Sequence, residues 1–486
     1  MSELSQLSPQ PLWDIFAQIC AIPHPSGHEE ALAAYIMQWA ERKKLNVERD
    51  KVGNILIRKP ATAGMENLLP VVLQAHLDMV PQKNGDTQHD FIQDPIRPYV
   101  DNEWVKAQGT TLGADNGIGM ASALAVLDDE NIKHGPLEVL LTMTEETGMV
   151  GAFGLQPNWL QADILINTDS EQEGEIYMGC AGGVDFTTTF TLAREAIPAN
   201  HKVYKITLKG LTGGHSGGDI HLGLANANKL LARFLTGHGS ELQLRLIHIQ
   251  GGSLRNAIPR ESEAIVAVPI SIAANLETSK NHYLTLLKTE FAAIEKNLVI
   301  TLDETSTELL TLTADCQSRL LNFLNAAPNG VIRMSDEIKD VVETSLNTGV
   351  INMDEKKAEI TFLIRSLIET GKDYVVNMLT SISMLAGAEF EYKGSYPGWK
   401  PDLKSSVMAI VSNTYQQLFG KAPKIMVIHA GLECGLFKKP YPQMDMVSIG
   451  PTIYGAHSPD ERANIKSVAK YWQLLTSVLK SIPEKS

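Results

Sequence analysis

Two adjacent glutamates, Glu145 and Glu146, close the apolar run in "LLTMTEETGMVGA" (residues 140–152). Like charges side by side repel, and removing them from water costs more. The pair therefore reads either as a solvated strand end or as part of a site. Side chains of related chemistry close similar runs: His76 and Asp78 in "LQAHLD", Asp169 in "ILINTD", Asp115 in "GADNG" and His457 in "GAHSPDE". Imidazole and carboxylate are the ligand types that zinc and similar borderline cations accept, and no thiolate is offered at these points. Each residue has a plain alternative when taken alone. A single buried histidine is more often a satisfied core residue, and Asp115 also fits the N-cap of the helix-like stretch "NGIGMASALAVL". Carboxylates gathered together, however, need a cation to offset their repulsion.

The elements that must position these residues alternate in type. "EEALAAYIMQWAERKK" has helical spacing, "GNILIRK", "PVVLQAH", "LEVLLTMT" and "ADILINTD" are short β-rich runs, and "NGIGMASALAVLDD" is helical again. Such alternation predicts an α/β layer with helices on a buried sheet. In open α/β sheets ligands sit beyond the carboxyl ends of strands, so the ends that carry His76, Glu145 and Asp169 are expected to converge. After "MGCAGGVDF" the pattern changes to longer strands and helices, among them "HKVYKITLKG", "GLANANKLLARFL", "AEITFLIRSLI" and "KDYVVNMLTSISMLAG". These suit an α+β insert whose set of elements repeats twice. The Pro/Gly cluster "GSYPGWKPD" marks its end, and "KIMVIHAG", "DMVSIGP" and a C-terminal amphipathic helix resume the first pattern. The expected organisation is one α/β catalytic domain built from residues 1–186 and 398–486, interrupted by an α+β lid domain at 187–397.

Composition narrows the partners. A chain of 486 residues exceeds what one core usually organises. The net charge of −14 repels phosphate backbones, so no nucleic-acid partner is expected. Cys20, Cys180, Cys316 and Cys434 lie far apart, which argues against a zinc ribbon and a disulfide framework and fits a reducing cytoplasm. The N-terminal "MSELSQLSPQPLWDIF" lacks the basic and apolar regions of a signal peptide. No stretch reaches the ~20 apolar residues of a membrane span. A soluble cytoplasmic protein with no membrane partner is expected.

Seven stretches in order, "LQAHLDMV", "TTLGADNGIGMA", "TEETGMVGA", "INTDSE", "GGHSGG", "GGSLRNAIP" and "GAHSPDE", together resemble the di-zinc metallopeptidase family that includes aminoacylases and carnosine-type dipeptidases. The resemblance covers essentially the whole chain. It implies a mixed-sheet α/β di-zinc exopeptidase catalytic domain with an inserted α+β lid. It makes His76 and Asp169 ligands of one zinc, Glu146 and His457 ligands of the other, and Asp115 the bridge, giving two Zn2+ per chain with Co2+ or Mn2+ as substitutes. Asp78 would orient His76, and the peptide bond after Asp115 would be cis. Glu145 would be the general base that takes a proton from a metal-bridging water and passes it to the leaving amine. In the lid, the resemblance makes His215 the donor to the oxyanion, Asn256 and Arg365 substrate-holding residues, and Gly431 a backbone contact to the substrate's C-terminal carboxylate.

The implied activity is zinc-dependent hydrolysis of dipeptides, Xaa-His and carnosine-like ones above all. The alternatives are an aminoacylase or a broader dipeptidase and, in another class, a catalytically silent metal-binding protein. Glu145 argues against the last, because a structural metal site does not need an uncoordinated base. Many members of the family dimerise through a short lid whose histidine enters the partner's site. This lid resembles the enlarged form, whose second half can imitate a partner; a homodimer is expected, with a monomer as the alternative. Whether His215 acts within its own chain stays open at this point.

Overall fold

In the computed structural model, which describes residues 3–485, the strand Val71–His76 is buried along its whole length. It pairs in parallel with Leu137–Thr142 on one side and Ile164–Asn167 on the other, and both of these are buried throughout as well. Strands covered on two faces carry continuous apolar runs rather than alternation, as "LEVLLT" and "ILIN" do. The sheet extends antiparallel through Ile55–Lys59 to Asn46–Arg49. In the other direction Asp445–Ser448 joins in parallel, followed by antiparallel Glu175–Cys180. The mixed α/β class expected from the sequence is thus observed, in a sheet drawn from both ends of the chain.

The helix Ala114–Asp128 lies against Val71–His76 and the helix Gln10–Cys20. It is buried on all sides, which is why its sequence shows almost no polar face. Gly119 makes its close approach possible, since a Cβ there would stand 2.3 Å from Thr168 Oγ1 and 2.7 Å from the Thr168 carbonyl. Leu73, Ile118, Leu141, Ile166 and Val447 belong to one core, each contributing roughly 1.5–3 kcal/mol by leaving water.

Packing divides the chain into two units. One holds the residues up to Cys180, Trp399–Val427 and everything from Leu432 onward; the other holds Ala181–Gly398 and Ile428–Gly431. The second unit is built on one long antiparallel sheet made of two halves with the same connectivity. The first half runs His201–Lys209, helix Ala227–His238, Arg245–Gly251, Ser262–Pro269, helix Ala273–Glu290 and Val299–Thr305. The second runs Gly182–Thr191, helix Ala314–Ala326, Val342–Met353, Lys357–Ser366, helix Glu369–Leu385 and Glu389–Tyr396. In both, the fourth strand pairs with the first, the first with the third and the third with the second, so the fourth strands lie at the two ends of the order and the second strands meet in its middle. The halves join where Gly251 faces Ile351, so the first half is inserted into the second after its opening strand. Among the described residues no helix is long and apolar enough to cross a membrane.

Candidate functional site

Three adjacent parallel strands present their carboxyl ends together, and His76, the Glu145–Glu146 pair and Asp169 emerge there. Asp115 comes from the start of the central helix, one residue after the N-terminal Ala114 and two after left-handed Gly113 (φ 71°); the Asp115–Asn116 peptide bond is cis. His457 comes from a loop between the short strands Ile453–Tyr454 and Arg462–Asn464, with its own backbone left-handed at φ 63°.

Asp115 stands at the centre. Its Oδ1 lies 3.2 Å from Nε2 of His76, which is also 3.2 Å from Asp169 Oδ1. Its Oδ2 lies 3.2 Å from Nε2 of His457, which is 3.0 Å from Glu146 Oε1. The result is two half-sites, each with one imidazole and one further carboxylate, sharing Asp115 between them.

The glutamate pair diverges because the strand stops at Thr142 and the backbone turns left-handed at Thr144 (φ 51°). A residue with a Cβ loses roughly 1–2 kcal/mol in that region. Here the turn is held by Thr144 Oγ1 donating to Glu29 Oε1 at 2.7 Å. Asp78 then grips the loop: its Oδ1 accepts from the N–H of Glu145 (2.8 Å), and its Oδ2 accepts from the N–H of Glu146 (3.1 Å) and from Ser26 Oγ (2.7 Å). Its Oδ1 also lies 3.3 Å from Nδ1 of His76. One carboxylate thereby fixes both the imidazole and the loop. Glu146 reaches His457, while the Glu145 carboxylate takes no hydrogen bond among the described residues.

The electrostatics of this cluster are costly. Burial, reinforced by Asp169, Glu433 and Glu146, raises the Glu145 carboxyl well above the usual range. Burial and then Asp115 lift Asp169 to about 7 against the pull of His76. Hydrogen bonds to Asp115 and Glu146 lift the His457 imidazolium to about 11. Oδ1 of Asp169 is buried and accepts no hydrogen bond of good geometry among the described residues. Ligand atoms of His76, Asp115 and Glu146 all lie within 4.8 Å of one another. A donor set of imidazole and carboxylate, with an orphaned buried oxygen and mutually repelling acids, fits a divalent cation.

Two buried acids had no role in the sequence reading, although one of them stood in a quoted stretch. Glu433, fully buried in "AGLECG", accepts from Gln74 Nε2 (2.6 Å) and Thr142 Oγ1 (2.7 Å), and burial lifts it to about 8. Gln74 in turn accepts from Asn167 Nδ2 at 2.6 Å, so a polar chain ties the three strands just beneath the site. The second is Glu461 of "GAHSPDE", which binds the backbone ahead of Asp115. A charged residue inside an apolar run, and a second acid on a histidine-bearing loop, were the available signals.

The other unit assembles a second group. Gly214–His215 pairs with Ala257–Ile258, setting His215 opposite Ala257 and next to exposed Asn256. Nδ1 of His215 accepts from the N–H of Gly217 (3.2 Å) and Gly218 (2.8 Å), which leaves Nε2 as the protonated nitrogen of a neutral ring. Burial and the Arg365 cation both lower its pKa. Arg365 is buried; its Nη2 lies 3.5 Å from His215 Nε2, its Nη1 donates to Tyr396 OH at 3.2 Å, and its Nε has no hydrogen-bond partner among the described residues. His429, also buried, pairs with Ser345 Oγ at 2.8 Å and stands two residues before Gly431. Gly217 is required here, since a Cβ would stand 1.9 Å from the His429 carbonyl and 3.0 Å from Arg365 Nε.

The model of peptidase family M20/M25/M40 matches residues 72–481, and the chain belongs to that family. The cytosol non-specific dipeptidase of Escherichia coli K12 is 68% identical over 485 residues, covering 100% of both chains. The crystal structure of aminoacylhistidine dipeptidase from Vibrio alginolyticus superposes with a TM-score of 0.93 at 59% identity, covering 100% of this chain and 99% of that one. An aminopeptidase from Bacillus cereus, 16% identical with a TM-score of 0.58 over 98% and 99% of the two chains, shares the fold.

Proposed function

We propose that this chain is a two-metal dipeptidase, with the unit that holds His76 and His457 as its catalytic domain and the insert as its lid. The observation that carries the reading is Asp115, which offers one oxygen to the His76–Asp169 pair and the other to the His457–Glu146 pair. Two divalent cations held by these residues would polarise the scissile carbonyl and bring the pKa of a water toward roughly 7. Zinc fits the donors, with Co2+ or Mn2+ as substitutes.

The chain's own residues supply the rest. Glu145, without a hydrogen-bond partner at its carboxylate, takes the proton of the attacking water and delivers it to the leaving amine. Asp78 keeps His76 and the glutamate loop in place. His215, with Nδ1 saturated by two backbone amides, has Nε2–H to donate to the oxyanion. Arg365 and the Gly431 backbone hold the substrate's C-terminal carboxylate, and Asn256 steadies the substrate beside them. A carboxylate bound one residue beyond the scissile bond limits the leaving group to a single C-terminal amino acid.

The name of the Vibrio relative supports Xaa-His dipeptides as substrates, and the name of the E. coli relative supports a broader range and a cytoplasmic location. A homodimer completes the proposal. The test is turnover of the metal-loaded protein on Xaa-His dipeptides, other dipeptides, tripeptides and N-acyl amino acids. Cleavage confined to dipeptides supports the reading, and a lead of Xaa-His over other dipeptides supports its narrower form. Faster release of acyl groups would make it an aminoacylase.

A further inference from the structure

We infer that Glu461 is a positioning residue for the metal centre, acting through the backbone that carries Asp115; the inference rests on the two-metal reading above. Its Oε2 accepts from the N–H of Leu112 (2.7 Å) and Gly113 (3.0 Å), and its Oε1 accepts from the N–H of Ala114 (2.8 Å) and Asp115 (3.2 Å). Four consecutive amides can face one anion only where the chain curls around it, and the left-handed turn at Gly113 provides that curl. Charge-assisted bonds of this kind are roughly twice as strong as neutral ones. Glu461 is 2% exposed, so little water competes for them.

Where Glu461 comes from gives the contact its meaning. The loop that supplies it also supplies His457, four residues earlier. The loop is tightly wound: the Glu461 N–H donates to the Ser458 carbonyl at 3.1 Å, and the Ser458 N–H and Oγ both reach the Gly455 carbonyl, at 3.1 and 2.7 Å. One short stretch therefore holds Asp115 twice, with imidazole on its side chain and carboxylate on its backbone. Asp115 serves both half-sites, so the register of both depends on Glu461. Neither an apolar nor an amide side chain can replace it, because neither presents two accepting oxygens to four donors.

The experiment measures zinc affinity directly, by competition of the metal-free protein with a chromophoric chelator for Zn2+ alone, alongside thermal unfolding of the metal-free protein. Glu461→Gln keeps the shape and halves the acceptors; Glu461→Asp keeps the charge and shortens the reach. Both should bind zinc about 10- to 100-fold more weakly, the usual range for loss of a group that orients a ligand. The rise in Tm on adding zinc should shrink accordingly. Zinc affinity within twofold of wild type in both variants overturns the inference, whatever happens to the metal-free Tm. So does failure of both to fold, since Glu461 would then hold the fold and not the centre. Wild-type protein that takes up no zinc overturns the two-metal reading itself, which separates that failure from this one.

Discussion

Glu145 and Glu146 are identical in chemistry and adjacent in sequence, yet the turn at Thr144 gives one a histidine partner and the other none. If Glu145 only moves protons, Glu145→Gln should keep two metals per chain while turnover falls by about two to four orders of magnitude. Glu146→Gln should lose metal. Elemental analysis of both variants checks this, and equal metal loss would remove the distinction. Arg365 makes a second case. Amidating the dipeptide's C-terminus should cost about 2–5 kcal/mol in kcat/KM, the scale of breaking one side of a desolvated charged pair. Arg365→Ala should cost a similar amount on the free acid and little more on the amide. Losses that simply add in the double-mutant cycle would show that Arg365 does not read the carboxylate. At this scale the sequence was legible where residue type coincided with a strand end, as at His76, Glu145 and Asp169. At Glu461 it offered only an acid on a histidine-bearing loop and said nothing of its partners, which are main-chain amides 346 or more residues away, since backbone groups leave no mark on composition.

Elements were legible in proportion to their regularity. "VVLQAH" and "LEVLLT" could be read as buried strands because both faces are apolar, and "EEALAAYIMQWAERKK" as a helix because one face is. The pairing of Gly214–His215 with Ala257–Ile258 could not be read, since two residues show no period. The central helix posed the opposite difficulty: apolar all round, it points in no direction, and its approach to the sheet is set by Gly119 rather than by any pattern. Gly119→Ala would force a methyl group against Thr168, the residue before Asp169. The expected loss is about 1–3 kcal/mol by denaturant unfolding, the usual cost of overpacking, with weaker metal uptake because Asp169 moves with its neighbour. Unchanged stability would mean the helix can shift without penalty.

For the molecule as a whole, two buried groups set opposite limits on stability. Glu433 keeps its proton in the folded chain up to about pH 8, whereas the unfolded chain releases it near 4.5. The folded state then binds more protons, so stability falls as pH rises across that window. His429 stays neutral down to about pH 3 under burial and the Arg365 charge, whereas the unfolded ring takes a proton near 6.5. The unfolded state then binds more protons, so stability falls as pH drops from 6.5 toward 3. Metal-free Glu433→Gln should flatten the alkaline fall and His429→Asn the acid one, both read by denaturant unfolding between pH 3 and 9. Unaltered slopes would assign the limits to other groups. The mixed α/β class was legible because alternating elements can bury a parallel sheet in few ways. The doubled connectivity of the insert was only suggested, because its halves share a path and not a motif.

These two groups stand four residues apart, yet Glu433 belongs to one unit and His429 to the other, because Ile428–Gly431 packs with Ala181–Gly398 although it follows Val427 in the chain. Neither unit is therefore a transferable module. A gene fragment that ends at Gly398 would leave Ser345 without its histidine partner and the place beside Gly217 unfilled. During synthesis the insert emerges from the ribosome well before the four residues that finish it. For that interval the nascent insert must persist without His429, and it is complete only when most of the chain has been made.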